Sequence, residues 1–499
     1  MADRLLHQTT SLCRVCKRSL PATLHQVDDR IVMRKTCSEH GDQEALIASN
    51  ADWYHRTMSM PADLQPPLGE IKPVEQGCPF DCGSCASHQQ RIHMPVVPIT
   101  SACNLDCPIC YTHNKNDGAY HMSPDEMRAV LEHLRRLAPD QRIINITGGE
   151  PTLHPQFLQL IEMCRDAGIH RVTISTHGLT FIKNEAMVER LAELDARVIL
   201  SFDSFDEQVN AVMLGGRFGS PKLRALALLE KHQVATTLLP VLAHDMNHRE
   251  IARIVDLALA KDYIRSVEFH PMTFTGQSGA SFDRSARYTT YDALADLQEQ
   301  SGGRLRIDDF VPSPVAHPLC YQVAYLMRLS EERWLPLTRI MEVSVIRSLL
   351  ADGLYLEPGP AIEAALQDAI NRLWSGEIAQ ESLDPEGAYP GGIEVDDVLL
   401  AIKRMLRELF SSALPERERL ARAERFTKAI YVHSHMDEES FDSDRIRQCS
   451  VGMPGADGSN VPSCAYNILY RERDARFTVA PAPALVQLGK GRPARPPVS

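Results

Sequence analysis

No run of ~18 consecutive apolar residues occurs in this chain, so nothing in it reads as a membrane-spanning helix. Its first residues also lack the apolar h-region of a secretory signal. Together these absences predict a cytoplasmic protein, although peripheral contact with a bilayer surface would need no span. Positive charge is in deficit: 53 Lys and Arg stand against 65 Asp and Glu, a formal net charge of -12. That balance argues against general nucleic-acid binding and leaves room for a local basic pocket. The cysteines are too unevenly placed for a disulfide framework. Nine of the 13 fall between Cys13 and Cys110 in short groups, which without an export signal reads as metal ligation. At 499 residues, 44% hydrophobic and 24% charged, the chain has material for two or three cores of ~100–200 residues each.

The most informative of the cysteine groups is Cys103, Cys107 and Cys110, a C-x3-C-x2-C run after the strand-like Val97-Pro98-Ile99-Thr100. Three soft thiolates in one loop suit an iron–sulfur cluster. With four irons, one iron is left without a cysteine and is open to chelation by a small molecule. A structural zinc knuckle or an electron-transfer cluster is the plainer reading of the spacing alone. Cys78, Cys82 and Cys85 repeat the same spacing, followed by His88. Context favours the second run, because alternating helices and strands follow Cys110 as an α/β crossover domain requires.

Cys13-x2-Cys16 and Cys37-x2-His40 make a four-ligand pattern of rubredoxin-like or treble-clef type, assigned to residues 12–60. Zinc is the favoured metal and iron the alternative. Cys320, Cys449 and Cys464 sit beside prolines, glycines and polar residues, and with Cys78, Cys82 and Cys85 they supply six more thiols. Six falls short of two all-cysteine four-iron clusters. The choice is therefore one auxiliary cluster, or two completed by other ligands or open sites, with His88 and His317 as candidates. Cys164 reads as an inert core residue.

The organisation predicted is a metal module (12–60), an auxiliary-cluster linker (72–91), a partial or full (β/α) barrel (92–330), a helical region (331–430), a cysteine-containing segment (431–473) and a disordered tail (474–499). Ser123, Pro124 and Glu126 mark the start of an amphipathic helix through Leu137. Strands are expected at Ile143–Ile146, Val172–Ser175, Val198–Phe202, Thr236–Val241 and Ser266–Phe269. Helices are expected at Phe157–Ala167, Glu185–Leu194, Lys222–His232 and Arg249–Ala260. Asn114–Tyr120 reads as loop, Thr275–Gly279 as a flexible rim loop, and Tyr325–Glu331, Glu342–Leu350, Ala361–Leu373 and Val398–Phe410 as helices. Sites in such folds lie at the carboxyl ends of the strands, where Cys103 falls. Thr147-Gly148-Gly149-Glu150-Pro151 lies at the same rim, with glycines that permit close backbone approach and a carboxylate able to pair an ammonium group.

Cys103, Cys107, Cys110, Tyr111 and the Gly148-Gly149-Glu150 tripeptide resemble the radical S-adenosylmethionine (SAM) superfamily. The resemblance implies a SAM-binding 4Fe-4S cluster on the three cysteines and cleavage of SAM to a 5'-deoxyadenosyl radical. It further implies contact of Gly148, Gly149 and Glu150 with the methionyl amine, of Tyr111 with adenine, and of Ser175, Ser201 and Asp203 with ribose and carboxylate groups. Thr176, His177, His244 to Asn247 and His270 are weaker rim candidates, and no catalytic residue is assigned. The wider cysteine pattern, with Phe441-Asp442-x-Asp444-Arg445-Ile446 and Cys464-x-Tyr466-Asn467, resembles a narrower group. That group joins tetraether lipid synthase with a hydroxymethyl-dihydropterin methyltransferase and carries auxiliary iron–sulfur clusters. It implies C–C bond formation by coupling or methyl/methylene transfer on a lipid-like or pterin-like substrate, with a flavodoxin or ferredoxin as reducing partner. The alternatives are a peptide-modifying radical SAM maturase and a non-catalytic electron-transfer protein.

Overall fold

The computed structural model describes residues 3–477 except 69, 70, 84, 113–119, 352, 358, 410–417, 419–421, 423 and 456. Most of the expected loop at 114–120, and the expected tail from 478 onward, lie outside the described residues.

The chain opens with a four-stranded antiparallel sheet: β1 (Asp3–Leu12), β2 (Ser19–Val27), β3 (Arg30–Cys37) and β4 (Gly41–Ala48). It starts well before the expected boundary at 12 and is a ribbon rather than a treble clef. Helix α1 (Ala51–Met58) follows, capped by the Asn50 side chain. Lys35 anchors the ribbon: its buried Nζ donates to Ser11 Oγ at 2.9 Å and to the carbonyls of Glu438 and Glu439 at 3.0 and 2.7 Å.

The main sheet is built on parallel strands β5 (Met94–Thr100), β6 (Ile143–Gly148), β7 (Arg171–Thr176), β8 (Arg197–Ser201), β9 (Thr236–Leu239), the short β10 (Val241–Leu242) and β11 (Ile264–Pro271). Their crossovers are α2 (Pro124–Leu137), α3 (Phe157–Asp166), α4 (Glu185–Glu193), α5 (Glu207–Leu214), α6 (Gly219–Lys231) and α7 (Ile251–Leu259). The α2 capping box forms as the sequence predicts, Ser123 accepting from the Glu126 N–H and Glu126 from the Ser123 N–H. Beyond β11 come β12 (Val311–Pro312), β13 (Tyr321–Arg328), β14 (Trp334–Pro336), β15 (Thr427–His433), β16 (Val451–Pro454) and β17 (Asn460–Pro462).

Tyr325–Glu331 is not helical: Tyr321–Arg328 is a strand, antiparallel to β15. A run buried on both faces shows no alternation, and periodicity alone cannot separate it from a buried helix. The barrel also does not end near 330. β15 returns from beyond the helical region to pair parallel with β11, and β16 pairs parallel with β5 on the opposite flank. The sheet therefore reads β12-β13-β15-β11-β9-β8-β7-β6-β5-β16-β17. Among the described residues this path is open at one seam. One apolar cluster joins Met94 and Val451 from one flank, Tyr321 and Tyr431 from the other, and Leu366 and Ile402 from the helices between. Helices Pro360–Trp374 and Val395–Leu409 contribute buried apolar residues to that same cluster.

Candidate functional site

The carboxyl ends of the parallel strands surround a cavity of about 290 Å³. Cys103, Cys107 and Cys110 line it together with Tyr111, Gly148, Gly149, Glu150, Ser175 and Ser201. The sequence-predicted rim is therefore brought together, except for Asp203, which lies behind the wall. There Lys222 Nζ donates to Asp203 Oδ2 at 3.1 Å and to Ser201 Oγ at 3.2 Å, both charged side chains being buried.

The cysteine loop is held by backbone contacts. Gly149 N donates to Thr100 O at 2.8 Å and Glu150 N to Ala102 O at 2.7 Å. A Cβ on Gly148 would lie 2.3 Å from Thr100 O, and one on Gly149 2.3 Å from Ala102 O. The close approach these glycines permit is thus to the loop's own backbone. Ile109 N bonds Met213 O at the end of α5, and Ser278 N bonds Cys110 O at 2.9 Å. The expected flexible loop at 275–279 is instead mostly a short helix, Gly276–Ser281, locked by Ser278 Oγ on Thr273 O and Thr275 O.

Glu150 is 1% exposed and well supplied with donors. Its carboxylate accepts from Thr152 Oγ1 at 2.5 Å, Thr176 Oγ1 at 2.6 Å and the His177 N–H at 2.9 Å. His177 Nε2 reaches Asn104 Oδ1 at 2.8 Å, tying the cysteine loop to this carboxylate. Burial holds the His177 imidazole below its ordinary value. Burial also pushes the Cys103 thiol up to about 11 and Cys107 to about 12. Metal binding there must displace protons. Three thiols from one loop, opening on a cavity, are a donor set that fits a four-iron cluster with one iron left for SAM.

Six further cysteines fall into two groups that meet at Cys449, while Cys164 is buried on α3. Cys320, Cys449 and Cys464 line a small cavity that shares Tyr321, His433, His435, Val451 and Ser463 with the main one. Arg445 Nη2 lies 3.6 Å from Cys320 Sγ, and His435 Nδ1 3.7 Å from Cys464 Sγ. Cys82 is pushed well above its ordinary value by its bond with Cys78, by burial, and by nearby thiolate charge that includes Cys449. The suggested extra ligands sit elsewhere. His88 bonds the Cys449 carbonyl at 3.0 Å, His317 accepts from the Leu319 N–H, and neither lines the small cavity. His435 does.

In the ribbon, ligand atoms of Cys13, Cys16, Cys37 and His40 all lie within 4.8 Å of one another. His40 Nδ1 stands 3.6 Å from Cys13 Sγ and 3.4 Å from Cys37 Sγ. Burial opposes ionisation of Cys13. The backbone N–H groups of Cys16 and Val15 and the Gln43 amide overcome it and bring the thiol down to about 6. A closed set of three cysteine sulfurs and one imidazole nitrogen suits structural zinc. Cys37→Ser is expected to lose the ribbon's zinc and to open residues 3–48 to limited proteolysis while 92–330 stays protected, because structural zinc contributes ~10–16 kcal/mol in small modules. Zinc content and the protease-resistant fragment, read together, check this. Zinc still bound through sulfur in an intact ribbon would contradict it.

Sequence reasoning missed Glu268, His433, His435 and Asn145. Glu268 accepts from His270 Nε2 at 3.0 Å and from His433 Nδ1 at 3.1 Å, and Asn145 bonds Ser175 at 3.0–3.1 Å. All four line the main cavity. The available signal was i, i+2 spacing, Glu268/His270 and His433/His435, which places each pair on one face of an extended chain. His244 and Asp245, by contrast, form a local pair with each other, outside the cavity lining.

The model of the radical SAM superfamily matches residues 97–258, and that of the HMPTM N-terminal zinc ribbon domain matches 5–49. A 7,8-dihydro-6-hydroxymethylpterin dimethyltransferase of Methanocaldococcus jannaschii is 26% identical over 95% of this chain and 96% of its own length. A GTP 3',8-cyclase of Chlorobaculum tepidum is 32% identical over 26% of this chain and 40% of its own. Among solved structures, Streptococcus suis SuiB bound to precursor peptide SuiA aligns with a TM-score of 0.35 at 21% identity, covering 42% of this chain and 46% of that one. Methylornithine synthase aligns with a TM-score of 0.34 at 15% identity, covering 42% and 63%. The cysteine loop, the glycine-packed rim and the ribbon thus belong to an enzyme of the radical SAM superfamily, using SAM and a 4Fe-4S cluster and carrying an N-terminal zinc ribbon.

Proposed function

We propose that this enzyme makes a C–C bond by methyl or methylene transfer to an unactivated carbon of a compact, polar, pterin-like heterocycle. One observation carries the reading: the polar wall of Glu268, His270, His433, Asn145 and Ser175 faces the same cavity of about 290 Å³ as the cysteine loop. A pterin edge alternates donors and acceptors, which the amide and hydroxyl on the adjoining β6 and β7 and the carboxylate on β11 can meet from different sides of the cavity. The name of the Methanocaldococcus relative, matched over nearly its whole length, points the same way.

When bound, SAM and the cluster supply hydrogen-atom abstraction from an unactivated position. The chain's own residues bind, orient and exclude water. Tyr111, Gly148, Gly149, Glu150, Ser175 and Ser201 form the SAM side, with Asp203 acting through Lys222. Leu105, Ile109, Ile199, Leu239 and Val241 form the apolar wall that keeps water from the reacting centre. Cys78, Cys82 and Cys85 with Cys320, Cys449 and Cys464 hold auxiliary iron–sulfur clusters. A flavodoxin or ferredoxin in the cytoplasm supplies electrons. No described helix is long and apolar enough to cross a membrane.

The test is anaerobic turnover with SAM, a reductant, 6-hydroxymethyl-7,8-dihydropterin and a one-carbon donor. That donor is either a second SAM, whose S–CH3 bond breaks, or a methylene-carrying reduced folate, whose N–CH2 bonds break. The expected result is 5'-deoxyadenosine together with a methylated pterin by mass spectrometry. Glu268→Gln should lower product formation roughly tenfold or more, since a polar site that loses a matched partner discriminates strongly. Deoxyadenosine formed with coupled acyl chains from added lipid, and no methylated pterin, would reverse the substrate assignment.

A further inference from the structure

Three imidazoles converge where the main cavity meets the small one. One ring nitrogen from each of His270, His433 and His435 lies within 4.8 Å of the others. The ring centroids are 4.1 Å apart for His433 and His435 and 5.0 Å for each other pair. The rings are held from outside. Tyr321 stacks on His433 at 3.7 Å between centroids, and Tyr111 on His435 at 5.7 Å. Neighbouring parallel strands β11 and β15, in register at Phe269 and Val432, fix the spacing between His270 and His433.

Glu268 decides how the nitrogens are used. It accepts from His270 Nε2 and His433 Nδ1, so each ring donates its N–H to the carboxylate and keeps the other nitrogen as an acceptor. His435, when neutral, brings a single N–H. Three such rings therefore hold more lone pairs than protons to fill them. A carboxylate hydrogen-bonded to the imidazoles is the arrangement that fixes ring orientation at metal centres and makes the ligand nitrogens more basic.

The geometry points to a mononuclear site for a divalent first-row transition ion, zinc or ferrous iron, ligated by His270, His433 and His435. Three nitrogen ligands with a remaining position toward the cavity is the pattern of a metal that binds and polarises a substrate atom. The triad lines the cavity that Cys103, Cys107 and Cys110 also line. The ion would therefore hold an oxygen or ring nitrogen of the substrate while chemistry proceeds at a carbon nearby. The site does not depend on which substrate that is.

The experiment uses the anaerobic, full-length, cluster-reconstituted protein, incubated with Zn²⁺ and desalted. Wild type should retain about two zinc ions per chain, one on the ribbon and one on the triad, and His433→Ala about one. His270→Gln/His435→Gln, made separately to guard against a folding defect in the first variant, should also retain about one. Cys37→Ser removes the ribbon ion, and the zinc it keeps should show only nitrogen and oxygen neighbours by X-ray absorption. Equal zinc in wild type and both histidine variants would overturn the proposal, as would sulfur neighbours in the zinc of Cys37→Ser.

Discussion

Gly149→Ala is expected to give a chain that folds its ribbon and helical region but cleaves SAM at least about a hundredfold more slowly. The added Cβ would sit 2.3 Å from Ala102 O, 2.7 Å from Ala102 C and 2.9 Å from Ser101 O. All three are backbone atoms, so no side chain can swing aside. Relief requires the turn after β6 and the segment ahead of Cys103 to separate, which breaks the Gly149–Thr100 and Glu150–Ala102 hydrogen bonds. Those bonds place the cysteine loop, and a misplacement of ~1 Å at a reacting centre costs roughly 10²-fold in rate. Gly359→Ala is the control, because its Cβ would meet nothing within 4 Å. Iron content, visible absorption and deoxyadenosine formation after reconstitution measure the difference. Wild-type behaviour of Gly149→Ala would mean that the loop tolerates a displacement its packing argues against.

What the sequence made legible was whatever local chemistry writes in adjacent residues. The α2 start was readable because Ser123, Pro124 and Glu126 each act within one turn. The cysteine loop and the ribbon ligands were readable because ligand spacing is short-range. The strand β13 was not, since Tyr321–Arg328 is buried on both faces and carries no alternation. Nor was the return of β15 into the sheet, which places Val432 beside Phe269 across more than a hundred intervening residues. The histidine triad needed that pairing. His433 and His435 are an ordinary i, i+2 pair until β15 is laid against Glu268 and His270. Asp203 shows the reverse: a residue at a strand end was expected on the cavity, but Lys222, on α6, draws it behind the wall.

Arg287→Met is expected to destabilise the protein by about 3–5 kcal/mol near neutral pH, the range for removing one member of a buried ion pair. Arg287 reaches Asp437 with both Nη atoms, at 2.8 and 3.1 Å, and Glu439 at 3.1 Å. Asp437 is 0% exposed. Burial alone would raise its carboxyl; the Arg287 charge and hydrogen bonds, with the N–H groups of Ser440 and Phe274, more than reverse this and hold it below the ordinary range. A carboxyl depressed in the folded state stabilises above its unfolded value, ~3.9, and loses that contribution as pH falls through the folded value. The deficit of Arg287→Met should therefore be full at pH ~7 and should shrink below pH ~4. Denaturant midpoints at the two pH values test the sign, and an Arg287→Met/Asp437→Asn cycle isolates the pair. A deficit within ~1 kcal/mol, or one unchanged in acid, would place the stability elsewhere. The effect should also reach the iron. Phe274 N bonds Asp437 Oδ2 just ahead of the helix that packs on Cys110, and Met436 N bonds Cys464 Sγ at 3.3 Å. Loosening Asp437 therefore loosens the supports of both cysteine groups, so iron content should fall at the SAM loop and, on the proposed ligation, at Cys464 as well.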